Sequence, residues 1–238
     1  MKHIIHKKII LTVILLSILA IIWCSQSVAS PSFKFISTPF NKKSTMNQSV
    51  HVATIPGLNP RVMRLAVTAY TKAKSSGLGN NILTIVDYSM PSTERRLWVI
   101  DMNTKKVLFN THVAHGKNSG ANFATKFSNR HGSNMSSLGL FLTGDIYKGH
   151  YGNSLNLFGL ENKFNSNAHA RRIVFHKALY VNENIIKKIG RLGRSFGCLA
   201  LNASVADKIM NTIKDGSLVF CYYPDNSWLR ESEMLQTA

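Results

Sequence analysis

Apolar residues recur along this chain in two rhythms, and the change of rhythm divides it. From Val62, the positions Leu65, Ala66, Ala69, Tyr70 and Ala73 follow at offsets of three and four, which makes one stripe on a helix. Asn59-Pro60 supplies a side-chain cap and a residue pre-set for the first turn, and Ser76-Gly77 supplies the stop. From Asn81 the rhythm shortens. Ile82–Asp87, Arg96–Asp101 and Lys106–Ala114 are rich in branched and aromatic residues and predict strands, the last two joined by a turn at Asp101-Met102-Asn103-Thr104. Ser137–Thr143 and Arg172–His176 predict further strands, and Ser217–Tyr223 a buried one. Segments 115–132 and 144–170 are polar and are expected as long loops, which in a compact domain more often form binding surface than filler.

Two short helices are predicted towards the end. Asn182 caps residues 183–189, with Ile185, Ile186 and Ile189 inward and Gly190 as the stop. Asn202 caps the second, with Val205, Ala206, Ile209, Met210 and Ile213 inward and Gly216 closing it. The expected fold class is mainly β (α+β), with peripheral helices, over residues 56–225; residues 226–238 are expected as a C-terminal tail.

The first 55 residues follow neither rhythm. Lys2, Lys7 and Lys8 precede an apolar run, Ile9–Trp23, of about fifteen residues, where a comfortable membrane span needs about twenty. Ser27-Val28-Ala29 then offers small residues, so residues 1–29 are expected as a signal peptide cleaved after Ala29, with an uncleaved N-terminal anchor as the alternative. Trp23 disfavours a lipoprotein signal at Cys24. Residues 30–55 are rich in serine and asparagine and are expected as a flexible tether. The chain would therefore work in the cell envelope, periplasmic or secreted.

Charge sharpens that picture. The formal net charge is +18, and the leader holds three of the 29 basic residues and none of the 11 acidic ones, leaving about +15 on the rest. Such a surface favours polyanions, here an anionic envelope surface. No block of interleaved basic and aromatic residues stands out, so nucleic acid is not an expected partner.

Removal of the leader leaves two cysteines, Cys198 and Cys221. They could pair in an oxidising compartment, but Cys221 lies in a run that reads as a buried strand, where a free thiol packs as a small hydrophobe. Cys198 differs: it follows Arg194-Ser195-Phe196-Gly197, and His176 ends an apolar run upstream. A thiol attacks carbonyls as thiolate, and a nearby imidazole generates one at neutral pH. Gly197 would leave the backbone open, so that amides such as that of Cys198 face a developing oxyanion, and the helix expected after Asn202 would add positive potential. Arg194 and Arg191 offer charge for a substrate carboxylate. His115 would line the cleft or stabilise its loop. The nine histidines include no HExxH, paired CxxC or close His/carboxylate cluster, so neither a metal nor another cofactor is expected.

These residues carry a resemblance. Ile173–Ala200 resembles the YkuD-like L,D-transpeptidase catalytic domain, whose signature is a His-Gly, a spacer and Ser-His-Gly-Cys. Ala53–Tyr223 is similar to the branch called the murein L,D-transpeptidase catalytic domain family, through Ser92–Asp101, Val113–Lys117, Ser136–Gly139, Phe141–Gly144 and, most specifically, Gly190–Cys198. The resemblance implies a β-rich, sandwich- or barrel-like cysteine acyltransferase acting on peptidoglycan stem peptides through a thioester, by cross-linking or by trimming. It makes Cys198 the nucleophile and His176 the base, oriented through a backbone carbonyl, with the Gly197 and Cys198 amides at the oxyanion and Ser195 shaping the turn. Three positions depart from the pattern: Phe196 for the motif histidine, Lys177 for the glycine after the base, and Leu199 for the arginine that follows the cysteine in many relatives, which would leave a substrate carboxylate to Arg194 or Arg191, or to Arg171 or Arg172. A catalytically weak wall-binding protein using the same cleft is the alternative these departures allow.

Overall fold

In a computed structural model of the chain, residues 55–150 and 152–236 are described. The expected leader, and the tether up to residue 54, lie outside them. Helix α1 (Pro60–Ser75) starts where the sequence places it, the Asn59 side chain accepting from the Arg61 amide at 2.8 Å. It buries Val62, Met63, Ala66, Ala69 and Ala73 against the sheet, with Leu65 and Tyr70 at the margin.

Nine strands form one sheet: β1 (Ile82–Asp87), β2 (Leu97–Asp101), β3 (Lys106–Thr111), β4 (Val113–Ala114), β5 (Gly139–Gly149), β6 (Gly152–Gly159), β7 (Val174–Ala178), β8 (Leu199–Asn202) and β9 (Leu218–Tyr222). Their order is β3-β2-β1-β9-β5-β6-β7-β8-β4. The pairs β1/β9 and β7/β8 are parallel and the others antiparallel. The run Lys106–Ala114, expected as one strand, breaks at His112 and supplies both edges of the sheet, β3 and β4. Strands one residue apart in sequence cannot lie far apart in space, so the edges come together and the sheet curls into a nearly closed barrel. This is the mainly β, barrel-like class with peripheral helices that the sequence predicts.

Three expectations change. Segment 144–170 is not one long loop, since β5 runs on to Gly149 and turns back through β6. Leu155 and Leu157 of β6 are buried in alternation with Asn156 and Phe158, a period of two hidden among glycines and asparagines. The second change concerns helices. Asn182 caps α2 (Glu183–Ile189) through the Ile185 amide, but no residue of α2 is buried and Ile189 is exposed, because one short helix lies over a small apolar cluster rather than the main core. Asn202 ends β8 instead of capping α3 (Ala206–Ile213); its side chain accepts from the amide and hydroxyl of Ser204. Ala206, Ile209, Met210 and Ile213 do face inward. Third, residues 226–238 are more than a tail. Asp225 caps α4 (Asn226–Glu231), whose Trp228 is buried against Phe220 and Tyr222. Its indole donates to Glu161 at 3.0 Å, and the same carboxylate accepts from the Leu140 amide at 2.7 Å.

Candidate active site

The parallel pair β7/β8 builds the site. Phe175 lies beside Leu199, and His176 beside Ala200. Strand alternation sends Phe175, Leu199 and Leu201 into the main core. The opposite face carries His176, Ala178 and Ala200, the two alanines packing with Ala114, Val181 and Leu192 in a second, smaller cluster. Cys198 lies in the bend immediately before β8, its Sγ against the Arg172 carbonyl two residues before β7 begins. His176 on β7 and Cys198 just ahead of β8 thus belong to adjacent segments of the parallel pair.

His176 is buried, and its Nδ1 lies 2.9 Å from the carbonyl oxygen of Lys177. A carbonyl only accepts, so Nδ1 carries the proton and Nε2 is the basic nitrogen. Burial lowers the imidazole pKa, and the Lys177 carbonyl raises it in part. Cys198 is half-buried, unpaired, and touches the Arg172 carbonyl through Sγ at 3.4 Å. Burial raises its thiol pKa, against the Val174 amide, the Arg171 guanidinium and its own amide, which lower it. Both shifts favour a neutral thiol beside a neutral imidazole at rest. The positive helix end expected to assist Cys198 is not there, because the residues after it form β8.

The turn that presents Cys198 is tied by serines. Ser195 donates to the Cys198 carbonyl at 2.7 Å and accepts from the Gly197 amide at 3.1 Å. The Gly197 amide, expected to face an oxyanion, donates instead to the Ser195 hydroxyl. Gly197 itself has φ +128, and a Cβ there would stand 2.7 Å from Ile173 and 2.8 Å from the Met135 carbonyl, so both conformation and space require glycine. Ser136 links the turn to its neighbours, accepting from the Gly116 amide at 3.0 Å and donating to the Gly197 carbonyl at 3.2 Å. Ser119 in turn accepts from the Ser136 amide at 2.9 Å. Ser119 emerges only from the structure; Ser136 opens one of the segments that carry the resemblance, but a sequence match does not say where a hydroxyl points.

The other expected residues divide. His115 is buried beneath the loop, with Nδ1 2.7 Å from Arg96 Nη2 and Nε2 3.4 Å from the Gly120 carbonyl. Arg96 is itself buried, donating to the carbonyls of Val113 and Met90 and lying over the Tyr88 ring, and burial pushes its pKa down to about 10. Burial, and then that guanidinium, push His115 down to about 3, so it is neutral and accepts from Arg96 through Nδ1. Arg194 is anchored on the carbonyls of Lys117 and Gly120, and Arg191 on that of Leu192. Phe196 stands exposed two residues before Cys198, with the Lys117 ammonium 4.5 Å from its ring centre. Leu199 points into the core, so an arginine could not be accommodated there without burial. Among the described residues, no group of three or more His, Cys, Asp or Glu could hold a metal ion.

Residues 54–222 match the family described as L,D-transpeptidase catalytic domain. Solved structures that resemble the chain include an L,D-transpeptidase from Mycobacterium smegmatis, at 13% identity and a TM-score of 0.38, over 60% of this chain and 59% of that one. Another is an L,D-transpeptidase (Yku) from Stackebrandtia nassauensis, at 18% identity and a TM-score of 0.36, over 70% and 68%. The chain thus spans about three fifths of the length of the first. No curated protein matches it.

Proposed function

The chain belongs to the L,D-transpeptidase catalytic domain family, and from that premise we propose that it is a cysteine acyltransferase of peptidoglycan stem peptides, with Cys198 as nucleophile and His176 as base. The observation that supports this reading is a free, half-buried thiol just ahead of β8 and, on the adjacent parallel strand β7, an imidazole whose tautomer is set by the Lys177 carbonyl. Because both groups are neutral at rest, the proton leaves as attack proceeds. His176 Nε2 takes the thiol proton while Sγ bonds to the carbonyl carbon between the third (L) and fourth (D) residues of the stem. The Cys198 amide donates to the oxyanion. Collapse of the adduct breaks the peptide bond, His176 returns the proton to the departing D-residue's amine, and a thioester remains on Cys198. An acceptor amine then attacks the thioester, losing a proton to His176 and expelling the thiol; water in its place yields a trimmed stem. The basic leader and the net positive charge read in the sequence support an anionic cell-envelope setting for this reaction. The test is mass spectrometry of a disaccharide-tetrapeptide incubated with the protein. Cross-linked dimers or tripeptide products that vanish with Cys198→Ala are expected. Product formation that survives Cys198→Ala overturns the assignment.

A further inference from the structure

Four arginines stand in the segments that frame Cys198, and the fold anchors three of them. Arg171 directs both terminal nitrogens at four loop oxygens, those of Ser128, Ser133, Met135 and Ser137. Arg194 and Arg191 hold backbone carbonyls of their own loops. Arg172 differs. Its carbonyl meets the Cys198 thiol, yet its side chain is exposed and, among the described residues, makes no hydrogen bond or ion pair. Its φ of +55 is a left-handed conformation that long side chains seldom adopt.

That side chain lines an open cavity of about 410 Å³ with Tyr147, Asn156, His169 and Ala170. Part of the lining is aromatic: Tyr147 is exposed, and the His169 ring stacks on Phe158 at 4.6 Å. The nearest acid in the lining's own hydrogen bonds is Asp145, which is taken up by the Asn156 amide at 2.8 Å. An unanchored guanidinium in the lining of such a cavity, with the Cys198 thiol against its own backbone, matches one kind of ligand group. We infer that Arg172 binds a carboxylate of the substrate in this cavity and sets a preference for stem peptides that carry a free acid there. The inference rests on the acyl-transfer reading for the identity of the substrate. A guanidinium fork engages a carboxylate through two parallel N–H donors, a geometry that neither Lys nor a neutral side chain reproduces. Two carboxylates of a stem peptide could fill it: the α-carboxylate of the fourth residue, or the side-chain carboxylate of a dicarboxylic third residue.

Binding decides between them without relying on turnover. The full chain carrying Cys198→Ala is titrated by calorimetry with three disaccharide-tetrapeptides: one with both carboxylates free, one amidated at the C-terminus, and one amidated at the third side chain. One of the two amides should bind about tenfold or more weakly than the free acid. Arg172→Asn, which suits a left-handed backbone, should erase that difference, and Arg172→Lys should restore part of it. Equal binding of all three peptides, no binding of any, or an acid preference that survives Arg172→Asn overturns the inference. If the unmodified chain turns over none of the three, the acyl-transfer reading falls, while the calorimetric comparison still decides for or against Arg172.

Discussion

Ser136→Ala tests how the nucleophile is held. The Ser136 hydroxyl bridges two segments far apart in sequence, accepting from Gly116 at 3.0 Å and donating to the Gly197 carbonyl at 3.2 Å. The residue is buried, and a Cβ on Gly116 would stand 3.0 Å from Gly197 Cα, so the two backbones are packed directly together. Removing the hydroxyl leaves a buried donor and a buried acceptor unpaired, at about 1–3 kcal/mol each, or roughly 2–4 kcal/mol together if the loop relaxes in part. For a domain of this size that corresponds to a fall in Tm of roughly 4–16 °C. The measurement is a urea titration of the purified variant beside Ser75→Ala, an exposed hydroxyl bonded only to the Lys72 carbonyl, which should change stability by less than about 0.5 kcal/mol. Acyl transfer should fall as well, since the Gly197 carbonyl and the Cys198 amide belong to one planar peptide unit. A Ser136→Ala protein as stable as the Ser75→Ala control would refute the reasoning.

Other expectations follow from the same geometry. The acid limb of kcat/KM should lie below the ordinary imidazole range, because burial lowers the His176 pKa and the base therefore stays unprotonated to lower pH; a limb above that range contradicts it. Cys221 is buried on β9 with its thiol pKa pushed far up, so Cys221→Ala should keep acyl transfer within about threefold and cost roughly 1–2 kcal/mol in a denaturant titration. His115 titrates near 3 when folded and near its ordinary value when unfolded, so between those limits the unfolded chain binds the extra proton. Stability should therefore fall as pH drops through that window, with a slope approaching about 1.4 kcal/mol per unit, and His115→Gln should flatten the curve measured by pH-dependent unfolding. Trp228→Ala should cost about 3–5 kcal/mol on thermal unfolding, since it opens a core cavity and leaves the Glu161 carboxylate short of a donor.

Much of this fold was legible because its signals are local. The cap at Asn59, the stripe of α1, the hairpin β2–β3 and the buried run of β9 each follow from a few neighbouring residues. The sequence also pointed to Cys198 and His176, although nothing local says that β7 and β8 lie side by side and parallel. What stayed hidden depends on distant partners. His112 reads as mid-strand until the sheet's two edges meet on either side of it. Asn202 reads as a helix cap, yet β8 pairs with β7 and claims it. Trp228 sits in a polar stretch, and only Glu161 and Phe220 explain its burial. The arginines show the same limit. From sequence Arg194, Arg191, Arg171 and Arg172 were all candidates for a substrate carboxylate, and only the fold separates them: loop oxygens hold the first three, and Arg172 is left at the cavity.

The most direct test of the central claim is the covalent intermediate. Intact-protein mass spectrometry of the chain, quenched in acid soon after mixing with disaccharide-tetrapeptide, should show an adduct equal to the substrate less its D-residue. Peptide mapping should place that adduct on Cys198, and Cys198→Ala should lack it. An adduct on another residue, or product formed with no covalent intermediate and undiminished by Cys198→Ala, would contradict the account.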